Sequence, residues 1–246
     1  MDITPNNIKE YRSEIGESEG GVMSDIEIMS PDDALFPDIE SDEAKSGGFK
    51  YRKIFRKNCH KSLDWKNVIS WIKSQPTNAK LSIGLGLNQK DDDDPDQGNM
   101  LALSSESAIA ISSDGPDKRH VVIVGEDASG KNQTEVLVLN DTAEVLGSKI
   151  FSELHAVYVE SVDKTRTVII KQGQDDDLLG SINPGKKISF LWFENDEIDS
   201  KAKGIRHGNI HAGDCLGLWY RLAWPAETKA VSGNSIQVAS ESEVEQ

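Results

Sequence analysis

Residues 213–225 read GDCLGLWYRLAWP, the most strongly patterned strand in the 246-residue chain. Leu216, Leu218, Tyr220, Leu222 and Trp224 hold the even positions, and Cys215, Gly217, Trp219, Arg221 and Ala223 the odd ones. Successive side chains on a strand point to opposite faces, so one face of this strand is committed to a core. The other, with Trp219 and Arg221, is left for a second layer or a partner. Gly213-Asp214 opens the strand, and Pro225, which has no N–H to give a ladder, closes it. Such a strand needs neighbours. The pattern assigns it 51–58 (YRKIFRKN) and 68–73 (VISWIK), both far upstream.

Other short β-rich runs follow the same logic. Residues 80–87 (KLSIGLGL) form a strand, and HVVIVG at 120–125 with TEVLVL at 134–139 flanks a polar turn, the signature of a hairpin. Further strands are expected at 148–151, 156–162, 167–171, 188–193 and 234–239. No long helical period appears from residue 49 onward. The fold class expected is therefore all-β, with two antiparallel β-sandwich or barrel domains, the second inserted into the first. Gly115 and Gly185 are suitable junctions, which gives a first domain of 49–114 plus 186–240, an insert of 115–185 and a frayed tail at 241–246.

Ahead of this body lies an acidic leader, 1–48. High charge with few aromatics marks a segment that cannot bury enough surface to fold alone. It reads as an extended arm carrying two anchors. Thr4-Pro5 has the form of an N-cap and first helical residue, with Ile8, Tyr11 and Ile15 on one helical face and Gly16 as the stop. The second anchor is an apolar hook containing Leu35, Phe36 and Ile39. These six residues are the candidate partner-binding set. An arm with few contacts to its own body also implies that removing it leaves the body's melting temperature nearly unchanged.

Charge narrows the partners. The formal net charge of −15 repels nucleic acid and anionic membranes. The one basic cluster, Lys50, Arg52, Lys53, Arg56 and Lys57, lacks interleaved stacking aromatics and reads as solvated strand positions. MDITPNNIKEYR has no secretory pattern, and no apolar run approaches a membrane span. Cys59 and Cys215 are read as free thiols.

Motifs that carry chemistry are few in this sequence. His207, His211 and Cys215 are spaced four apart, but the glycines around them argue against a helix and no zinc pattern fits. The run DDDDPDQGN at 91–99 is rich in oxygens, yet its glycine falls one place late for an EF-hand loop and no glutamate closes it. A solvated loop is the expectation. No nucleophile elbow, zinc-protease pair or phosphate loop is present. The chain is expected to be no enzyme, with no metal, no cofactor and no catalytic residues.

Three groups of residues carry a resemblance. Leu35 to Ile39, then Glu43-Ala44-Lys45-Ser46-Gly47, then Tyr51 to Asn58 resemble the opening of a group of tailed-bacteriophage virion proteins. Gly213, Leu218, Trp219, Arg221, Pro225 and Ala226 are similar to that group's close. VVIVGEDASGKNQTEVLVLN in the middle resembles a hairpin recurrent in phage head and tail accessory proteins. The resemblance implies a virion structural protein, assembled in the bacterial host cytoplasm, with other virion proteins (the major capsid protein or tail proteins) and copies of itself as partners. Within that group the reading is a capsid cement or decoration protein. A neck, tail or baseplate component is the nearest alternative. A glycan-binding adhesin, using Trp65, Trp71 or Trp219 as its platform, is the alternative of another class.

Overall fold

A computed structural model of the chain describes residues 3–16, 18–29, 35–173, 177–228 and 237–242. The first strands are β1 (Ile8–Ser13), β2 (Met23–Glu27), β3 (Gly48–Asn58), β4 (Trp65–Ser74) and β5 (Lys80–Gly86), with one short helix, α1 (Ser41–Ser46), before β3. There follow β6 (Ile109–Ser113), β7 (His120–Glu126), β8 (Asn132–Val138), β9 (Val145–Leu146), β10 (Glu153–Val159), β11 (Val168–Gln172), β12 (Leu178–Ile182) and β13 (Ile188–Phe190). The last are β14 (Phe193–Glu194), β15 (Ile205–Ile210), β16 (Cys215–Trp224) and β17 (Gln237–Ser242). The fold is all-β, in four antiparallel sheets among the described residues, none closed into a barrel.

The chain divides into two compact units, 1–88 with 193–246, and 89–192. The inserted unit is a sandwich of two four-stranded sheets, β13-β10-β7-β8 and β12-β11-β6-β9. Its core is built from side chains of both, including Ile109, Ile111, Val121, Ile123, Phe151, Val157, Val168 and Ile170. The hairpin at 120–139 is present as expected. Its turn is tied by Asp127, whose carboxylate accepts from the Ser129 and Lys131 amides, and by Gly130 at φ 75°. The junctions, however, lie outside Gly115 and Gly185. β6 is an inner strand of the insert, paired with β11 and β9, and β13 pairs with β10. The apolar run at 188–193 is cut accordingly: β13 belongs to the insert, and β14 to the other unit.

The outer unit is organised around β16, which lies in a six-stranded sheet of order β14-β5-β16-β3-β1-β2. Its pairing with β3 runs the full strand, from Cys215↔Lys57 to Trp224↔Gly48. The second neighbour is β5, not 68–73. β4, which holds 68–73, instead forms the centre of a three-stranded sheet between β15 and β17. Both upstream segments alternate well enough to pair, and only the whole arrangement assigns one to each sheet. The face of β3 that carries Arg56 and Asn58 looks toward this second sheet: Arg56 donates to Val238 O at 2.8 Å, and Asn58 to Ile210 O at 3.1 Å.

The leader differs most from expectation. Among the described residues of the leader, helical structure is confined to one 3-10 turn at Pro5–Asn7 and the six residues of α1. The residues expected to be a helix form β1, paired with β3 from Ile8↔Asn58 to Arg12↔Ile54. A helix this short is marginal in water, whereas the open edge of β3 satisfies the same backbone groups. The leader is thus extended but docked on its own body. Residues 30–34 and 243–246, part of the hook and of the tail, lie outside the described residues, while Glu241 and Ser242 belong to β17.

Candidate functional site

The residues that gather the most partners are the cations of β3. Three of the five are not solvated, against the expectation for the cluster. Arg52, Lys53 and Arg56 are 3%, 0% and 6% exposed. A buried cation must be paired or richly hydrogen-bonded, and here the acidic leader supplies most of the partners. Arg56 donates to Glu10 at 2.8 Å, Arg52 to Glu19 at 3.1 Å and Lys50 to Glu43 at 2.9 Å. One level down, Lys9 of β1 holds Glu27 of β2 at 2.7 Å.

Lys53 sits on the opposite face of β3, beside Trp219 and Phe55, both fully buried. Its ammonium lies 5.2 Å from the Trp219 ring centre and 5.4 Å from that of Phe55. It donates to Gly21 O at 2.9 Å and Leu87 O at 2.7 Å, while the Lys53 amide donates to Ser18 O. The 18–21 segment of the leader is therefore fixed to the sheet from backbone and side chain. On the other face Tyr220 is wholly buried, and burial, offset in part by Arg56, pushes its phenol up to about 12. Burial likewise raises the Cys215 thiol, which with Cys59 is a free cysteine.

The hook is held by the same strand. Leu35 O accepts from Arg52 at 3.1 Å, the Phe36 ring lies 5.9 Å from the Arg52 guanidinium, and Asp38 O accepts from Lys50 at 2.9 Å. Leu35, Phe36 and Ile39 are half-buried. Ile8 and Tyr11, three apart in a strand, fall on opposite faces of β1 rather than on one helical face; Ile15 is exposed in the following turn. Ile8, Tyr11, Leu35 and Phe36 thus lie on or beside β3 without forming a common apolar stripe. The opposed charge runs of the leader and of 50–57 were the signal in sequence for this docking; composition alone reads them as two solvated segments.

The remaining expectations resolve locally. Lys186 bridges Asp93 and Asp94 at 3.2 Å each, and Asp94 also caps the Pro95–Gln97 turn, which draws these 91–99 carboxylates onto the chain itself. His211 pairs with Asp64 at 3.1 Å. Trp65, Trp71 and Trp219 are buried and offer no platform to a glycan. A shallow cavity of about 310 Å³ opens beside Met23, Asn88, Asp214 and Cys215, where the leader meets β16.

No protein-family model, curated protein or solved structure matches this chain.

Proposed function

We propose that the protein is a non-enzymatic structural component of a tailed-phage virion, acting as a capsid cement or decoration protein among other virion proteins and copies of itself. The observation that carries this reading is the meeting of the resembling segments, which are distant in sequence. Trp224 Nε1 donates to Glu43 O at 3.0 Å, and the amides of Glu227 and Thr228 donate to Lys45 O and Ala44 O. Gly47, at φ 72°, passes so close to Ala226 N that a Cβ there would stand 2.7 Å away. The Glu43 to Gly47 segment and the Pro225-Ala226 end of the closing strand are two halves of one joint, which supports a likeness in fold rather than a chance match of short words.

A role for the leader in assembly takes a different form from a free arm. Among the described residues, the edge it leaves unpaired is β2, the outer strand of the six-stranded sheet, where Ile26 is 60% exposed. An edge strand with an exposed apolar side chain suits strand addition by a neighbouring subunit. The test is quantitative mass spectrometry of purified particles made by the genome that encodes the chain. A copy number matching the capsid subunits supports the shell reading, a few copies per particle moves the protein to the neck, tail or baseplate, and absence from the particle overturns the proposal.

A further inference from the structure

One cluster in the inserted unit lies apart from all of this. Glu126 and Glu153 are directly opposed on β7 and β10, and His155 is two residues further along β10. Like charges facing each other across a strand pair destabilise it, and one of these carboxylates is almost wholly buried. Their side chains are 6% and 46% exposed, and that of His155 is 1% exposed. Nε2 of His155 stands 3.3 Å from a Glu126 oxygen and 3.1 Å from a Glu153 oxygen, and the three donor atoms lie within 4.8 Å of one another.

The backbone is shaped to produce this. Leu154 pairs with Gly125 and Ala156 with Val124, so His155 is the extra residue of a β-bulge. Leu154, Val157 and Val159 all belong to the core. Counted back from Val157 and Val159, a regular strand would turn His155 into that core; the extra residue turns it toward the carboxylates instead. Bulges serve to re-aim a side chain in this way. Gly125 permits the approach, because a Cβ there would stand 2.1 Å from Glu153 O.

We propose that Glu126, Glu153 and His155 form a binding site for a divalent transition metal ion of the zinc type. One imidazole nitrogen and two carboxylate oxygens are a ligand set that zinc accepts, and bonds of about 2.0–2.2 Å in a tetrahedron separate the ligands by roughly 3.3–3.5 Å. The two histidine–carboxylate distances are already close to this, and the half-exposed Glu153 has the freedom to close the third. Two carboxylates and a neutral imidazole balance the charge of a dication, and any proton on the imidazole leaves as the metal binds. The fourth position, on the solvent side, falls to water. The ion would tie the end of β7 to the bulge of β10. The metal-free expectation from sequence rests on His207, His211 and Cys215 and on the 91–99 loop; Glu126 and His155 are brought together only by strand register.

The test is calorimetric titration of ZnCl2 into the chelator-dialysed full chain at neutral pH, with the thermal melt followed alongside. The site predicts one saturable zinc per chain and a rise in the melting temperature of the inserted unit. Glu153→Gln, on the exposed side of the cluster, should keep the fold and weaken binding at least about tenfold, as should Glu126→Gln, while His211→Gln should change nothing. Absence of saturable binding would mean that the cluster is a histidine salt-bridged to two carboxylates, and would overturn the proposal. Undiminished binding by Glu153→Gln and Glu126→Gln would place the zinc elsewhere and overturn it equally.

Discussion

The two units reach a β-fold by different means. The insert is one continuous segment, 89–192, whose two sheets close on a core of aliphatic side chains with Phe151. The outer unit is assembled from both ends of the chain and carries Arg52, Lys53 and Arg56 buried in or beside its sheet. Hydrophobic burial is non-directional and tolerant, whereas a buried cation is costly unless each partner is in place. The insert should therefore be autonomous, and the outer unit conditional on its leader.

The largest effect should come from cutting that dependence. Removal of residues 1–28 takes away β1, β2, Glu10, Glu19 and the Gly21 carbonyl, and leaves three cations with fewer acceptors. The loss should approach the whole stability of a domain, about 5–15 kcal/mol, and abolish the cooperative melt of the outer unit while that of the insert persists. This reverses the sequence-based expectation of an unchanged melting temperature. In the complementary experiment, the excised 89–192 segment should fold alone, as judged by β-sheet circular dichroism and a cooperative transition; an unfolded fragment would remove the contrast.

Single substitutions sharpen it. Arg56→Ala breaks the bonds to Glu10, Val238 O and Ser240 together. It should cost about 3–5 kcal/mol, toward the lower figure because Glu10 keeps some access to water, and calorimetry should assign the loss to the outer transition alone. Ile123→Ala, in the insert's core, should cost about 2–5 kcal/mol and move only the other transition.

A smaller and pH-dependent effect belongs to Asp117 in the insert. Burial alone would raise its carboxyl, but the Arg119 side chain and amide and the Ser113 hydroxyl outweigh burial and hold it below its ordinary value. A depressed folded-state value means that the stabilisation is present above the unfolded value, near pH 3.8, and is lost as the pH falls through the folded one. Asp117→Asn should cost about 1–3 kcal/mol at pH 7 and flatten the acid limb of a stability–pH curve. The smallest effect is expected from Glu43→Gln, whose partner Lys50 also donates to Asp38 O; any shift should fade with added salt.

The strands readable in sequence include those whose alternation matches a half-buried face, β16, β3 and the β7–β8 hairpin, and the short apolar runs of β4, β5, β10 and β11. β1 was not, because Ile8 to Ser13 mixes apolar and charged residues and becomes a strand only by lying on β3. Thr4-Pro5 did mark a turn of 3-10 helix; nothing local said that it would stop after Asn7. The domain junctions are not legible locally, because Gly115 and Gly185 mark real turns inside the insert, and the pairing of β6 with β11 spans too much chain for a local signal. Of the candidate site, the basic residues of β3 stand out in the sequence, but their partners follow only from the sheet order.

The central claim, that the acidic leader belongs to the basic strand of its own chain, is tested most directly by hydrogen exchange on the intact, unaltered protein. Amides of β1 and the Lys53 amide bonded to Ser18 O should be protected to the same degree as those of β16 and should open in the same cooperative event. Leader amides that exchange at the rate of an unfolded chain, while β16 stays protected, would contradict it.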